Sequence, residues 1–208
     1  MQMLSRVEVM ERMTAADFFR DAPEDRKAEL IDGVMIMPSP PLVIHERLQG
    51  FLFRLLAGFV EERELGEVFG SRTAVELELF YAPEPDIFFV AEERLHIVGE
   101  KGVRGAPDFV IEILSASTAQ NDRGAKLRAY ERAGVDEYWL IDPYGPAGSE
   151  FYHLRNGRFR PSPPGGAGIL RSVAVPGFWI DLAWLWPGGE YGEEYPPVRR
   201  ALNAILDA

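Results

Sequence analysis

Cysteine is missing from this 208-residue chain, and histidine occurs only three times, at positions 45, 96 and 153. The first absence excludes disulfides, thiol nucleophiles and the zinc sites that contain cysteine. The second leaves no paired spacing for a His-rich metal centre or a Ser-His-Asp triad, so any metal is expected to be held by oxygen or by an isolated histidine. Long apolar runs are absent too: none approaches the roughly 20 residues that span a bilayer. The opening "MQMLSRVEVMERM" scatters charges through its apolar positions where a signal peptide would carry an apolar block, so a soluble, cytoplasmic protein is expected. "PPGGAG" at 163–168 runs into the strand-like "ILRSVAV", not into a helix with Lys-Ser/Thr, and is no phosphate-cradling loop. Positive charge is short as well. With 22 Lys and Arg against 33 Asp and Glu, the net charge of −11 argues against broad adhesion to nucleic acid, whose nonspecific affinity comes from counterion release, while allowing a local basic groove.

What is present suffices for a substantial core. A hydrophobic content of 47% over 208 residues suits one domain, 1–208, with a core of about 10–187 and a polar tail at 188–208. "TAADFFRDAPEDRK" at 14–27 reads as a short helix, capped by Thr14 with Asp17 at the third position, and then a charged loop. In "AELIDGVMIM" the Asp32-Gly33 pair signals a hairpin that sets Ile31 against Val34 and Glu29 against Ile36. A helix is predicted from about His45 to Arg63, because Leu48, Phe51, Leu52, Leu55, Leu56, Phe59 and Val60 recur at three-and-four spacing. Strands follow at Thr73–Leu79 and Asp86–Val90, then a charged connection over 92–105.

The segment "GAPDFVIEILSAST" at 105–118 is the most informative. As a strand it sends Phe109, Ile111 and Ile113 one way and Asp108, Val110, Glu112 and Leu114 the other, placing two acids on one side of a buried element. "NDRGAKLRAYERAG" then reads as a helix ended by Gly134 and "DEYWLIDP" as a strand, an order that suggests a parallel pair. A hairpin turns at Asn156-Gly157, and "ILRSVAVPGFWIDLAWLW" adds a strand and an aromatic closing segment. The fold class is α/β, mixed α+β: a central mixed sheet flanked by helices, with added hairpins.

Three acids stand at the edges of apolar strands: Asp86, Asp108 and Glu112. Converging, they would suit a hard cation such as Mg²⁺ or Mn²⁺, with Lys126 leaning back from the next helix to orient a water or offset phosphoryl charge. Each has a plainer reading. Asp86 and Asp108 follow prolines as turn or capping residues do, Glu112 would pair with Arg123, Lys126 or Arg128, and Lys126 would be a solvated helix lysine. Glu29 reads as a strand-end acid and His45 as a hydrogen-bonded core histidine. Burying a carboxylate at mid-strand costs several kcal/mol unless it is paired or metal-bound, which singles out Glu112.

Taken together, "ELIDG" at 29–33, the helix opening with His45, "PDIFFV" at 85–90, "PDFVIEILSAST" at 107–118, Asp122, Lys126, Tyr130 and "AGVDEYWLIDP" at 133–143 resemble the bacterial Uma-two family of restriction-endonuclease-like proteins. The resemblance runs from about residue 10 to residue 187. It implies a PD-(D/E)XK nuclease core with a metal site at one end of the sheet: Asp86 and Glu112 as the two motif acids, Lys126 as the lysine, and Asp108 and Glu29 as further acids nearby, with Asp108 also a metal ligand. The usual lysine two residues after Glu112 is replaced by Leu114, so that role would have to have moved to Lys126. The expected function is a Mg²⁺- or Mn²⁺-dependent endonuclease acting on DNA, with Arg123, Arg128 and His45 as substrate contacts and a local basic strip of Arg104, Arg123, Lys126 and Arg128 on the phosphates. A homodimer would allow both strands of a duplex to be cut. The alternatives are a catalytically silent or regulatory binding module that keeps the fold but acts through protein contacts, and a hydrolase of small phosphate-containing molecules.

Overall fold

The computed structural model describes residues 12–166, 168–186 and 194–208. The N-terminal stretch weighed above as a signal peptide, and the first part of the expected polar tail, fall largely outside them. In chain order the elements are α1 (Ala15–Asp21), β1 (Glu29–Ile31), β2 (Val34–Ile36), α2 (Val43–Glu62), β3 (Gly66–Gly70), β4 (Val75–Glu76) and β5 (Ile87–Ala91). There follow β6 (Val103–Arg104), β7 (Phe109–Ile113), α3 (Ala119–Asn121), a π-turn (Asp122–Lys126), α4 (Leu127–Ala133) and β8 (Glu137–Ile141). β9 (Glu150–Arg155), β10 (Arg158–Pro161), β11 (Ile169–Arg171), β12 (Trp179–Asp181) and α5 (Val198–Leu206) complete the series.

Six strands make the central sheet in the order β10-β9-β8-β7-β5-β3, mixed because β7 and β8 run parallel and every other neighbour antiparallel. The parallel pair is the one that brackets α3 and α4, as a strand-helix-strand order requires. Alternation along β7 works as its sequence implies. Phe109, Ile111 and Ile113 join Trp139 and Ile141 beneath α2 and α5, while Val110 and Leu114 join Tyr138, Leu140 and Tyr130 of α4. With both faces covered, β7 and β8 are buried at every residue.

Local chemistry fixes the edges. Thr14 and Asp17 close a reciprocal capping box on α1. The β1–β2 register is Glu29 with Ile36 and Ile31 with Val34, and the turn places Asp32 at φ 52° and Gly33 at φ 78°, the left-handed pair a two-residue hairpin needs. Three predictions are corrected. The strand at 73–79 shrinks to Val75–Glu76, because the chain turns back where Leu77 N and Glu78 N both donate to the Tyr81 carbonyl. The helix expected over 121–134 is interrupted by the π-turn, which turns Asp122 and Lys126 inward. The tail is not uniformly polar: it ends in α5, whose Ala201 and Ile205 belong to the main core against α2. The edge strand β3, with no strong alternation in "GEVFG", went unpredicted.

Candidate active site

Where β5 begins, antiparallel pairing of Ile87 with Ile111 sets Asp86 opposite Glu112. Asp86 is held on every side. Its Oδ2 accepts from Ile113 N at 2.9 Å and lies 3.2 Å from His45 Nε2, its Oδ1 lies 2.9 Å from Lys27 Nζ, and its carbonyl accepts from Gln49 Nε2 at 2.9 Å. Burial alone would raise its pKa. The Lys27 ammonium, the His45 ring and the Ile113 amide outweigh that and hold the carboxyl well below the usual range. His45 is raised in return: burial lowers it, but hydrogen bonding to Asp86 and then Glu46 prevails.

Glu112 lives in a second, deeper cluster. Its Oε1 accepts from Lys126 Nζ at 3.0 Å and from the Tyr130 hydroxyl at 2.9 Å. The same ammonium lies 2.7 Å from Glu29 Oε1 and 3.1 Å from Asp122 Oδ1, although Asp122 Oδ1 is not in hydrogen-bond geometry with it. The Lys126, Glu29, Glu112 and Asp122 side chains are each between 1% and 3% exposed. Burial raises Glu112 first; Lys126 offsets part of this, and repulsion from Asp122, Asp86 and Glu29 adds to it, leaving the carboxyl at about 8. Lys126 itself is raised well above its ordinary value, because the surrounding carboxylates overcome its burial.

The structure therefore unites Asp86, Glu112, Lys126, Glu29 and His45, and it does not unite the remaining expected residues with them. Asp108 sits at the far end of β7, four residues or about 13 Å of strand from Glu112. There Ala91 N donates to its Oδ2 at 2.8 Å and Arg94 Nη1 to its Oδ1 at 2.6 Å, so it ties β5 to β7 and is no ligand beside Glu112. Sharing a strand side does not mean sharing a pocket. Arg123 is engaged by Glu150 and the Gly148 carbonyl, Arg104 lies 3.7 Å from Glu76, and neither they nor Arg128 line the cleft above Asp86 and Glu112. Lys126 is not the solvated helix lysine of the plainer reading.

That cleft measures about 840 Å³. Its cations are Arg26, Lys27, Arg72 and Lys126, and Leu114, Ser115, His45, Phe53 and Tyr144 also line it. Lys27 is the residue sequence reasoning missed. It stands two positions before Glu29, on the same side of an extended chain, and that spacing was the available signal. Asp122 and Tyr130 were visible as part of a pattern but acquire their places only through the π-turn. Among the described residues, no three His, Asp or Glu side chains form a ready-made metal cage; Lys27 holds Asp86 and Lys126 holds Glu112. The donor chemistry nevertheless suits a hard cation, because Asp86 and Glu112 are oxygen donors set opposite each other on neighbouring strands.

Comparison with known proteins agrees with this fold. The uncharacterized protein sll1609 of Synechocystis sp. is 30% identical over 137 residues, covering 64% of this chain and 76% of the relative. A crystal structure from Anabaena variabilis, described as a putative nuclease belonging to DUF820, superposes with a TM-score of 0.60 at 17% identity, covering 93% of this chain and 99% of that one. The sequence profile of Uma2, described as "putative restriction endonuclease", matches residues 12–183. This chain belongs to the Uma2 family, the Uma-two family that its motifs resemble.

Proposed function

We propose that this protein is a Mg²⁺- or Mn²⁺-dependent nuclease that hydrolyses DNA phosphodiester bonds in the cleft above Asp86 and Glu112. The observation that carries the reading is the register of β5 on β7, which sets two buried carboxylates side by side at a cleft floor. Asp86 and Glu112 would hold the ion, which when bound supplies Lewis-acid polarisation of the phosphate and a more acidic attacking water. The protein's own groups prepare that floor. Lys27 and His45 keep Asp86 ionised and fix its orientation, while Lys126 and Tyr130 fix one oxygen of Glu112, whose carboxyl burial pushes up to about 8. Lys27 makes one of its three possible donations to Asp86, so its remaining N–H groups are available to a phosphate oxygen.

Lys126 is differently placed. Three carboxylate oxygens surround its ammonium, so its part here is to position Glu112, and not to orient water. This crowding, with Leu114 where the lysine is usual, favours a second reading: a catalytically silent or regulatory binding module that keeps the fold but acts through protein contacts. Two measurements separate them. Mn²⁺ binding followed by electron paramagnetic resonance is expected for the wild type and lost in Asp86→Ala. Plasmid nicking in Mg²⁺ or Mn²⁺ is expected to vanish in Asp86→Ala and Glu112→Gln variants that keep the wild-type circular dichroism. Cutting that persists equally in all three proteins would show contamination, and an absence of Mn²⁺ binding would leave the module reading in place.

A further inference from the structure

The carboxylates lie deep. Glu112 is 2% exposed and Asp86 5%, at the floor of a cleft of about 840 Å³, within the range of pockets that enclose a small ligand. A duplex carries its phosphates on the outside of a stiff, stacked cylinder, whereas an unpaired strand can turn one nucleotide inward.

The mouth of the cleft is built for such a strand. Tyr144 is 71% exposed, follows Pro143, and lines the cleft together with Pro40, Pro41 and Leu42, the last 65% exposed. Its ring is free while its backbone is not. Tyr144 N donates to Asp142 Oδ1 at 2.9 Å, and the Asp142 carbonyl accepts from Trp186 Nε1 at 2.7 Å, so the platform is anchored before any ligand arrives. Cationic Arg26, Lys27 and Arg72 line the same cleft, where phosphates flanking a stacked base would pass. With a net charge of −11, the remaining surface offers a duplex little electrostatic hold.

From this pairing of an exposed, anchored tyrosine with a cationic cleft over recessed carboxylates, we infer that the site takes an unpaired stretch of nucleic acid, one base stacking on Tyr144 as its phosphate descends to Asp86 and Glu112. The inference rests on the nuclease reading for what happens next, but its test is one of binding. Fluorescence anisotropy would compare a labelled 12-nucleotide single strand with the same sequence as a blunt duplex, in EDTA and in Mg²⁺, for wild type, Tyr144→Ala and Tyr144→Phe. The single strand is expected to bind about tenfold more tightly than the duplex, Tyr144→Ala to weaken it about tenfold, and Tyr144→Phe to restore it. Equal or tighter duplex binding, indifference to Tyr144→Ala, competition by a mononucleotide as strong as by the oligomer, or no binding at all would each overturn the inference. Asp86-dependent cutting of duplex that ignores Tyr144→Ala would keep the nuclease reading and discard this one. Tyr144-dependent binding without any cutting would do the reverse.

Discussion

Lys126 meets three carboxylate oxygens within 3.1 Å while only 1% exposed, and its removal would leave those charges facing one another without a cation. Lys126→Met is therefore expected to cost about 3–5 kcal/mol in urea unfolding, far more than the loss of a surface lysine. Glu112 carries the opposite liability. Its pKa rises from 4.5 to about 8 on folding, so between those values the folded chain holds a proton that the unfolded chain has lost. The stability it contributes is complete below about pH 4.5 and declines as the pH rises towards 8. In EDTA, Glu112→Gln is expected to flatten the fall in melting temperature between pH 5 and 8, with a gain on the order of 1 kcal/mol at the alkaline end. A wild-type melting temperature that is constant or rises across that window would contradict the placement of this proton. Asp108 has a structural part only, so Arg94→Ala is expected to lower stability by about 1–3 kcal/mol while leaving any Asp86-dependent nicking intact. Equal loss of both would return Asp108 to the site.

Elements were legible where a single local rule decides them. The stripe from Leu48 to Val60 buries the face of α2 that its spacing implies, and both Asx-Gly turns occur in the predicted hairpins. Elements whose partners are distant were not. β3 is held by pairing with β5, and α5 by the face of α2, neither of which its own residues advertise. The same limit governed the site. Alternation put Asp108 and Glu112 on one side of β7 but says nothing of which end meets α2, and a π-turn cannot be read from "NDRGAK". If α5 is part of the core, Ile205→Ala should cost about 2–4 kcal/mol, as for other buried aliphatic truncations. A change within a few tenths of a kcal/mol would mean that α5 rests on the fold without supporting it.

For the molecule as a whole, electrostatics set the terms of any encounter with nucleic acid. The cleft's accessible cations are Arg26, Lys27 and Arg72 on a chain of net charge −11, so binding is expected to depend on about three phosphate contacts. For a single strand, that predicts a slope of log Kobs against log salt near −2, or roughly a 20-fold loss of affinity between 50 and 200 mM salt. A slope near zero would move the binding surface elsewhere. The Lys126 cluster has a temporal meaning as well. Glu29 comes from β1, while Glu112, Asp122 and Tyr130 come from β7, the π-turn and α4. Roughly 100 residues separate Glu29 from Lys126, so at about 5–20 residues per second the ribosome needs some 5–20 seconds to bring the second after the first. Until then Glu29 lacks the ammonium it meets in the folded chain, so this pocket can be assembled only once synthesis is well past the middle of the chain.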